Sequence, residues 1–186
     1  MKFSRITFFL VLCLFFLVSC HHFLKKDEVS VKRKMAFEMF REIIDDIRVA
    51  DDLYLCGIME AAPKGKYRSF GLRFFCRRIL TKDEGRRLIF KCLAKMQEKF
   101  NSNFEFSQYI ENGKFAPENL DVGIIVQLTD GPEVHYPNIG SFSFAGGILY
   151  YRVTAPNVRG YYSEEEETYE EALHLVNEGV VPVVDL

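Results

Sequence analysis

The chain reads as an α+β domain, a two-layer sandwich with a mostly antiparallel sheet of four to five strands and about three helices. Three observations predict it. Residues 67–77 alternate apolar and polar side chains with a period of two, the mark of a half-buried strand. Residues 81–100 and 163–178 repeat apolar side chains at helical spacing behind a capping residue. The order is helix, hairpin, helix, two or three strands, helix, without the strict strand–helix alternation a doubly wound sheet needs.

Taken in order, residues 31–50 place Met35, Ala36, Met39, Phe40, Ile43, Ile44 and Ile47 on one helical face. Leu53 to Ala61 is a run rich in strand formers, ended by the turn signal Pro63-Lys64-Gly65. In its partner strand, Phe70, Leu72, Phe74 and Cys76 share one face, and Arg73, Phe75 and Arg77 share the other. Thr81-Lys82-Asp83-Glu84 has capping-box form, and Leu88, Ile89, Cys92, Leu93, Met96 and Phe100 make the stripe of the helix behind it. Residues 101–121 mix turn formers with aromatics, a connection long enough to hold a short helix near Phe106–Ile110. Its Phe104, Phe106 and Tyr109 either cap the core or rim a binding groove, the former being favoured. Val122–Leu128 reads as a central strand, ended by Asp130-Gly131-Pro132. Ile139–Val153 is a strand region containing a bulge or tight turn at Gly146-Gly147. Ser163 is expected to cap a last helix whose first turns hold Glu164 to Glu167, at the positive end of its dipole. Val180–Val184 adds a short edge strand.

The first thirty residues carry different information. Lys2 and Arg5 precede an apolar run from Ile6 to Val18, broken only by Thr7. Thirteen helical residues reach about 20 Å, short of a hydrocarbon core of roughly 30 Å, so the run reads as a signal peptide. Leu17-Val18-Ser19-Cys20 follows. An aliphatic residue, a tolerant position, a small residue and a cysteine resemble the lipobox of bacterial lipoproteins. That resemblance implies cleavage before Cys20 and acylation of its thiol, with residues 1–19 a signal peptide, 20–31 a lipidated tether and 32–186 one domain. It also implies a palmitate-type anchor in the cell envelope. His21, rather than an aspartate, after the cysteine points to the outer membrane, facing the periplasm. The size, the lipobox and Glu167-Thr168-Tyr169-Glu170-Glu171-Ala172 resemble small lipoproteins of chlamydia-like bacteria, a likeness that brings neither an activity nor functional residues.

Apolar residues make up 48% of the chain, with 18 Phe and 9 Tyr, which excludes a disordered chain. With Lys2 and Arg5 removed, 22 basic residues face 26 acidic ones, a balance that points to no nucleic-acid partner. Charge is unevenly placed. Residues 64–91 hold ten basic side chains against Asp83 and Glu84, while 160–186 hold eight acidic ones and no Lys or Arg. Arg87, Lys91, Lys95 and Lys99 form an i,i+4 row of like charge, which needs acidic groups opposite. The final helix, bringing its glutamates beside this one, is the expected partner. The alternative is that Lys91, Lys95 and Lys99, with Arg73, Phe75 and Arg77, form a contact for an anionic surface or an envelope protein.

No pattern for a cofactor, metal or nucleophile is legible. Cys56, Cys76 and Cys92 lack zinc-site spacing; export permits one disulfide among them. His21 and His22 belong to the tether, His135 to a loop without a recognisable partner, His174 to a helix. Gly140, Gly146 and Gly147 make no dinucleotide fingerprint, the glutamate run lacks a calcium loop, and Gly-x-Ser-x-Gly is absent. The expected function is therefore a non-enzymatic binding domain on a lipid anchor. The alternatives are an envelope enzyme whose site follows no familiar pattern, and a structural or assembly partner of another envelope protein.

Overall fold

A computed structural model describes residues 31–48, 51–128 and 134–178. Cys20, the turn signal at 130–132 and the edge strand expected over 180–184 lie outside the described residues. Contacts divide the chain after Glu38. Of the first unit, residues 31–38 are described; they are the opening turns of helix α1, which covers 31–48. The second unit holds everything else.

The second unit is α+β. Six strands follow: β1 (Leu53–Ala61), β2 (Ser69–Cys76), β3 (Leu120–Val126), β4 (Ser141–Ala145), β5 (Ile148–Val153) and β6 (Ser163–Thr168). Between them lie α2 (Lys82–Ser102) and the one-turn α3 (Phe104–Ser107), and α4 (Tyr169–Glu178) closes the described chain. The strands lie side by side in chain order. Every pairing is antiparallel except β2–β3, so the sheet is mixed. The expectation of four to five strands and three helices was short by β6 and the single turn of α3. The parallel pair follows from α2: a helical crossover returns the chain to the same end of the sheet, and a parallel neighbour results.

The helices contact one face. Alternation in β2 sends Phe70, Leu72, Phe74 and Cys76 into the core, β3 adds Leu120, Val122, Ile124 and Val126, and β4 adds Phe142 and Phe144. Phe40 from α1 meets Phe70 and Phe100 edge to face, and Phe106 and Phe115 complete that aromatic cluster. Such pairs contribute about 0.5–1.5 kcal/mol each beyond burial. Phe106 thus caps the core as expected, whereas Phe104 stands 89% exposed. The expected capping box is formed: the Thr81 hydroxyl accepts from Glu84 N–H, and Thr81 N–H donates to the Glu84 carboxylate at 2.9 Å. Gly146 and Gly147, both at positive φ, make the two-residue turn between β4 and β5.

The last helix starts later than expected. Glu164 to Glu167 form strand β6, and the helix begins at Tyr169. Pairing with β5 satisfies the backbone, and alternation gives the glutamates cations on both faces. Glu165 meets Lys82 and Glu167 meets Lys82 and Arg86 on the helix side, while Glu164 meets Arg152 on the other. The true cap is Thr168, whose hydroxyl accepts from Glu171 N–H while its own N–H donates to the Glu171 carboxylate. That Thr-x-x-Glu signal stands in the sequence, overshadowed by the glutamate run before it.

Arg86 is only 6% exposed. Its guanidinium donates to Glu167 at 2.8 and 2.7 Å and reaches Asp83, and the Tyr151 hydroxyl donates to Glu167 at 2.6 Å. Burial works against the Glu167 carboxylate, but hydrogen bonds from Arg86, Tyr151 and Lys82 outweigh it and hold the group down at about 2. Burial and Glu167 together push the Tyr151 hydroxyl far above its ordinary value. This network pins the start of α2 to the β5–β6 edge.

Candidate functional site

Alternation that fills one face of the sheet leaves a second set of side chains on the other, and among the described residues no helix is seen to cover that face. Register aligns Tyr54, Phe75, Ile125, Ser141, Arg152 and Glu164 in one row across all six strands. The next row is Gly57, Arg73, Gly123, Ser143, Tyr150 and Glu166.

Arginines lie flat on this open face. The Arg73 side chain crosses Gly123, where an added Cβ would sit 2.5 Å from Arg73 Cδ, so a larger residue there would push this side chain aside. Its Nη1 is shielded from solvent with no hydrogen-bond partner among the described residues. Beside it, burial pushes the Asp121 carboxyl above its ordinary range while Arg73 opposes the rise. Arg152 donates to Ser143 and Glu164 and lies 4.6 Å from the Tyr150 ring centre and 5.0 Å from that of Tyr161. Arg77 stacks 4.2 Å over Tyr54.

Between these groups is a cavity of about 370 Å³, walled by Phe75, Ile125, Val134 and Tyr161 and floored by Ser141 and Thr154. A smaller one of about 200 Å³ shares Phe75 and Gln127 and reaches Tyr54 and Arg77. Among the described residues, neither is lined by an acidic one. The first matches the lower end of small-ligand sites, concave and apolar with a few polar groups. His135 is hydrogen-bonded to the lining residue Thr154. Thr154 Oγ1–H donates to the Val134 carbonyl at 3.0 Å, which leaves the hydroxyl oxygen to accept from His135 Nδ1–H at 2.9 Å. A second concavity of about 380 Å³ lies between α2 and α4, lined by Phe90, Leu93, Ala94, Tyr169, Leu173 and Val176 among others.

The residues singled out in the sequence do not converge. Arg73 and Phe75 are on the open face and Arg77 borders it, whereas Lys91, Lys95 and Lys99 lie on α2. The lysine row is paired, but not with the final helix as expected. Lys91 reaches Asp51 at 2.8 Å, Lys95 reaches Asp46 at 2.9 Å, and Lys99 pairs with Glu42. The reason is that the glutamates of 164–167 sit in a strand across the start of α2, leaving the acids of α1 and its exit to face the row. Ile125, Tyr150, Arg152 and Tyr161 went unrecognised in the sequence. Ser141-Phe142-Ser143-Phe144 shows that β4 has a polar face, but which side chains lie across from it depends on long-range pairing.

Among the described residues, no group of three His, Cys, Asp or Glu side chains could hold a metal ion, and no helix is long and apolar enough to cross a membrane. Cys56 is exposed and Cys76 and Cys92 are buried, all three as free thiols. No protein-family model, curated protein or solved structure matches the chain.

Proposed function

We propose that this chain is a lipid-anchored envelope protein, held on the outer membrane through acylated Cys20 and facing the periplasm, whose domain binds an amphiphilic anion on the open face of its sheet. The observation that carries the binding role is the row through Phe75 and Ile125, which no described helix covers, with its cavity of about 370 Å³. Apolar walls supply affinity by burial, on the order of 25 cal/mol per Å². Arg73, Arg77 and Arg152 nearby favour a negative group, and among the described residues no acid lines the cavity to oppose one. Tyr and Arg are the side chains enriched where proteins bind partners. The anchor rests on the lipobox.

The test uses the mature chain carrying Cys20→Ser and the aromatic sulfonate anilinonaphthalene sulfonate. Saturable binding should weaken about tenfold, roughly 1.4 kcal/mol, in Ile125→Asp or Phe75→Asp with thermal unfolding preserved. Equal binding by both variants, or loss only in Leu173→Asp between α2 and α4, would refute the open-face site.

A further inference from the structure

The two edges of the sheet are built differently. β6 ends one side and carries Glu164 to Glu167, consecutive charges that repel an additional strand. β1 ends the other side, and from Leu53 to Met59 it carries no charged residue. Leu55 and Met59 are each 37% exposed, and Cys56 is exposed. Among the described residues, no backbone hydrogen bond joins residues 54–59 to any segment other than β2. An apolar edge with open N–H and C=O groups is a template for pairing with another strand.

We propose that β1 is a dimerisation edge, pairing antiparallel with β1 of a second copy about a two-fold axis near Gly57. A two-fold axis asks one surface to complement itself, and β1 does. Leu55 and Ile58 stand opposite Phe74 and Leu72 of β2, so both point to the helix side; Tyr54 and Met59, opposite Phe75 and Gly71, point to the open side. With the bulged Cys56 left out of the ladder in both copies, pairing centred on Gly57 sets Leu55 against Ile58 and Tyr54 against Met59, apolar on apolar on each face. The other edge combinations lack this match. β6 on β6 sets glutamates against glutamates, and β1 on β6 sets apolar side chains against them. The bulge at Cys56, between the pairs Leu55–Phe74 and Gly57–Arg73, interrupts one rung and leaves the strand paired on either side. An axis normal to the sheet keeps both open faces on the same side, so the two Phe75–Ile125 surfaces become parts of one platform.

Cys56 reports on this arrangement. Adjacent strands lie about 4.8 Å apart with a rise of about 3.4 Å per residue, which puts the two Cys56 Cα atoms about 8 Å apart. The full chain, produced in cells as two differently tagged copies, is treated with a short-spacer bismaleimide that enters cells. The expected product is a covalent dimer containing both tags. It should vanish in Cys56→Ser, persist in Cys76→Ser, and fall by at least about fivefold in Met59→Lys and in Leu55→Lys, because a lysine blocks an edge. A Val158→Cys, Cys56→Ser chain should give none, which separates pairing from crowding on a membrane. No dimer despite full modification of Cys56, equal yield in both lysine variants, or an adduct to a different protein would each overturn the proposal.

Discussion

Replacing Glu167 by glutamine removes the charge that compensates Arg86. The guanidinium keeps one carboxylate, Asp83, whose side chain is 70% exposed, and loses the one that is 13% exposed. Breaking a buried ion pair by neutralising one partner costs about 3–5 kcal/mol, and the surviving Asp83 contact places this case at the low end. The carboxylate, held by the same contacts, gives a figure of the same size. Its fall from an ordinary 4.5 to about 2 corresponds to about 3 kcal/mol of stability. The sign follows from the direction. A folded-state value below the unfolded one stabilises fully above pH 4.5, and that stabilisation disappears as pH falls toward 2. Urea unfolding of the wild-type and Glu167→Gln chains should therefore differ by about 3 kcal/mol at neutral pH, with the gap closing between about pH 4.5 and 2. In melting temperature the neutral-pH gap is about 6–12 °C for a domain of this size. A gap below about 1 kcal/mol, or one independent of pH, would show that the network contributes no more than a surface pair.

Cys20→Ala should abolish labelling by a fatty-acid analogue and release processed chain from membranes; persistent labelling ends the lipoprotein assignment. Phe106→Ala should cost about 3–5 kcal/mol in chemical unfolding, because Phe106 is fully buried against Tyr67, Phe70 and Phe100, whereas the exposed Phe104→Ala should stay within about 0.5 kcal/mol. A reversed order would mean the 101–121 connection packs differently. Changing Lys95 and Lys99 singly to Gln should cost no more than about 1 kcal/mol each, fading in high salt, because their partners Asp46 and Glu42 are exposed; larger, salt-insensitive losses would contradict pairing at the surface.

Local regularities carried most of the elements. The alternation from Phe70 to Cys76 and the Thr81–Glu84 box each act within a few residues, so the helix and strand they predict are where they were expected. Glu164 to Glu167 misled because a run of glutamates suits a helix start by its charge, while its real conformation depends on β5, Lys82, Arg86 and Arg152, all outside the run itself. Thr168 and Glu171 did carry the correct start of α4, at a spacing any helix cap uses.

The binding face was half legible for the same reason. A period of two places Arg73 and Phe75 on one side of β2 whatever lies next to it, and the i,i+4 row of α2 requires an acidic partner whatever supplies it. Such statements need only the geometry of a single strand or helix. Which strand lies beside β2, that it runs parallel, that Gly123 leaves room for the Arg73 side chain, and that α1 rather than the final helix answers the lysines, depend on contacts between residues tens of positions apart. Those contacts are chosen by the fit of the whole core, where packing of one face settles which residues the other face is left to present.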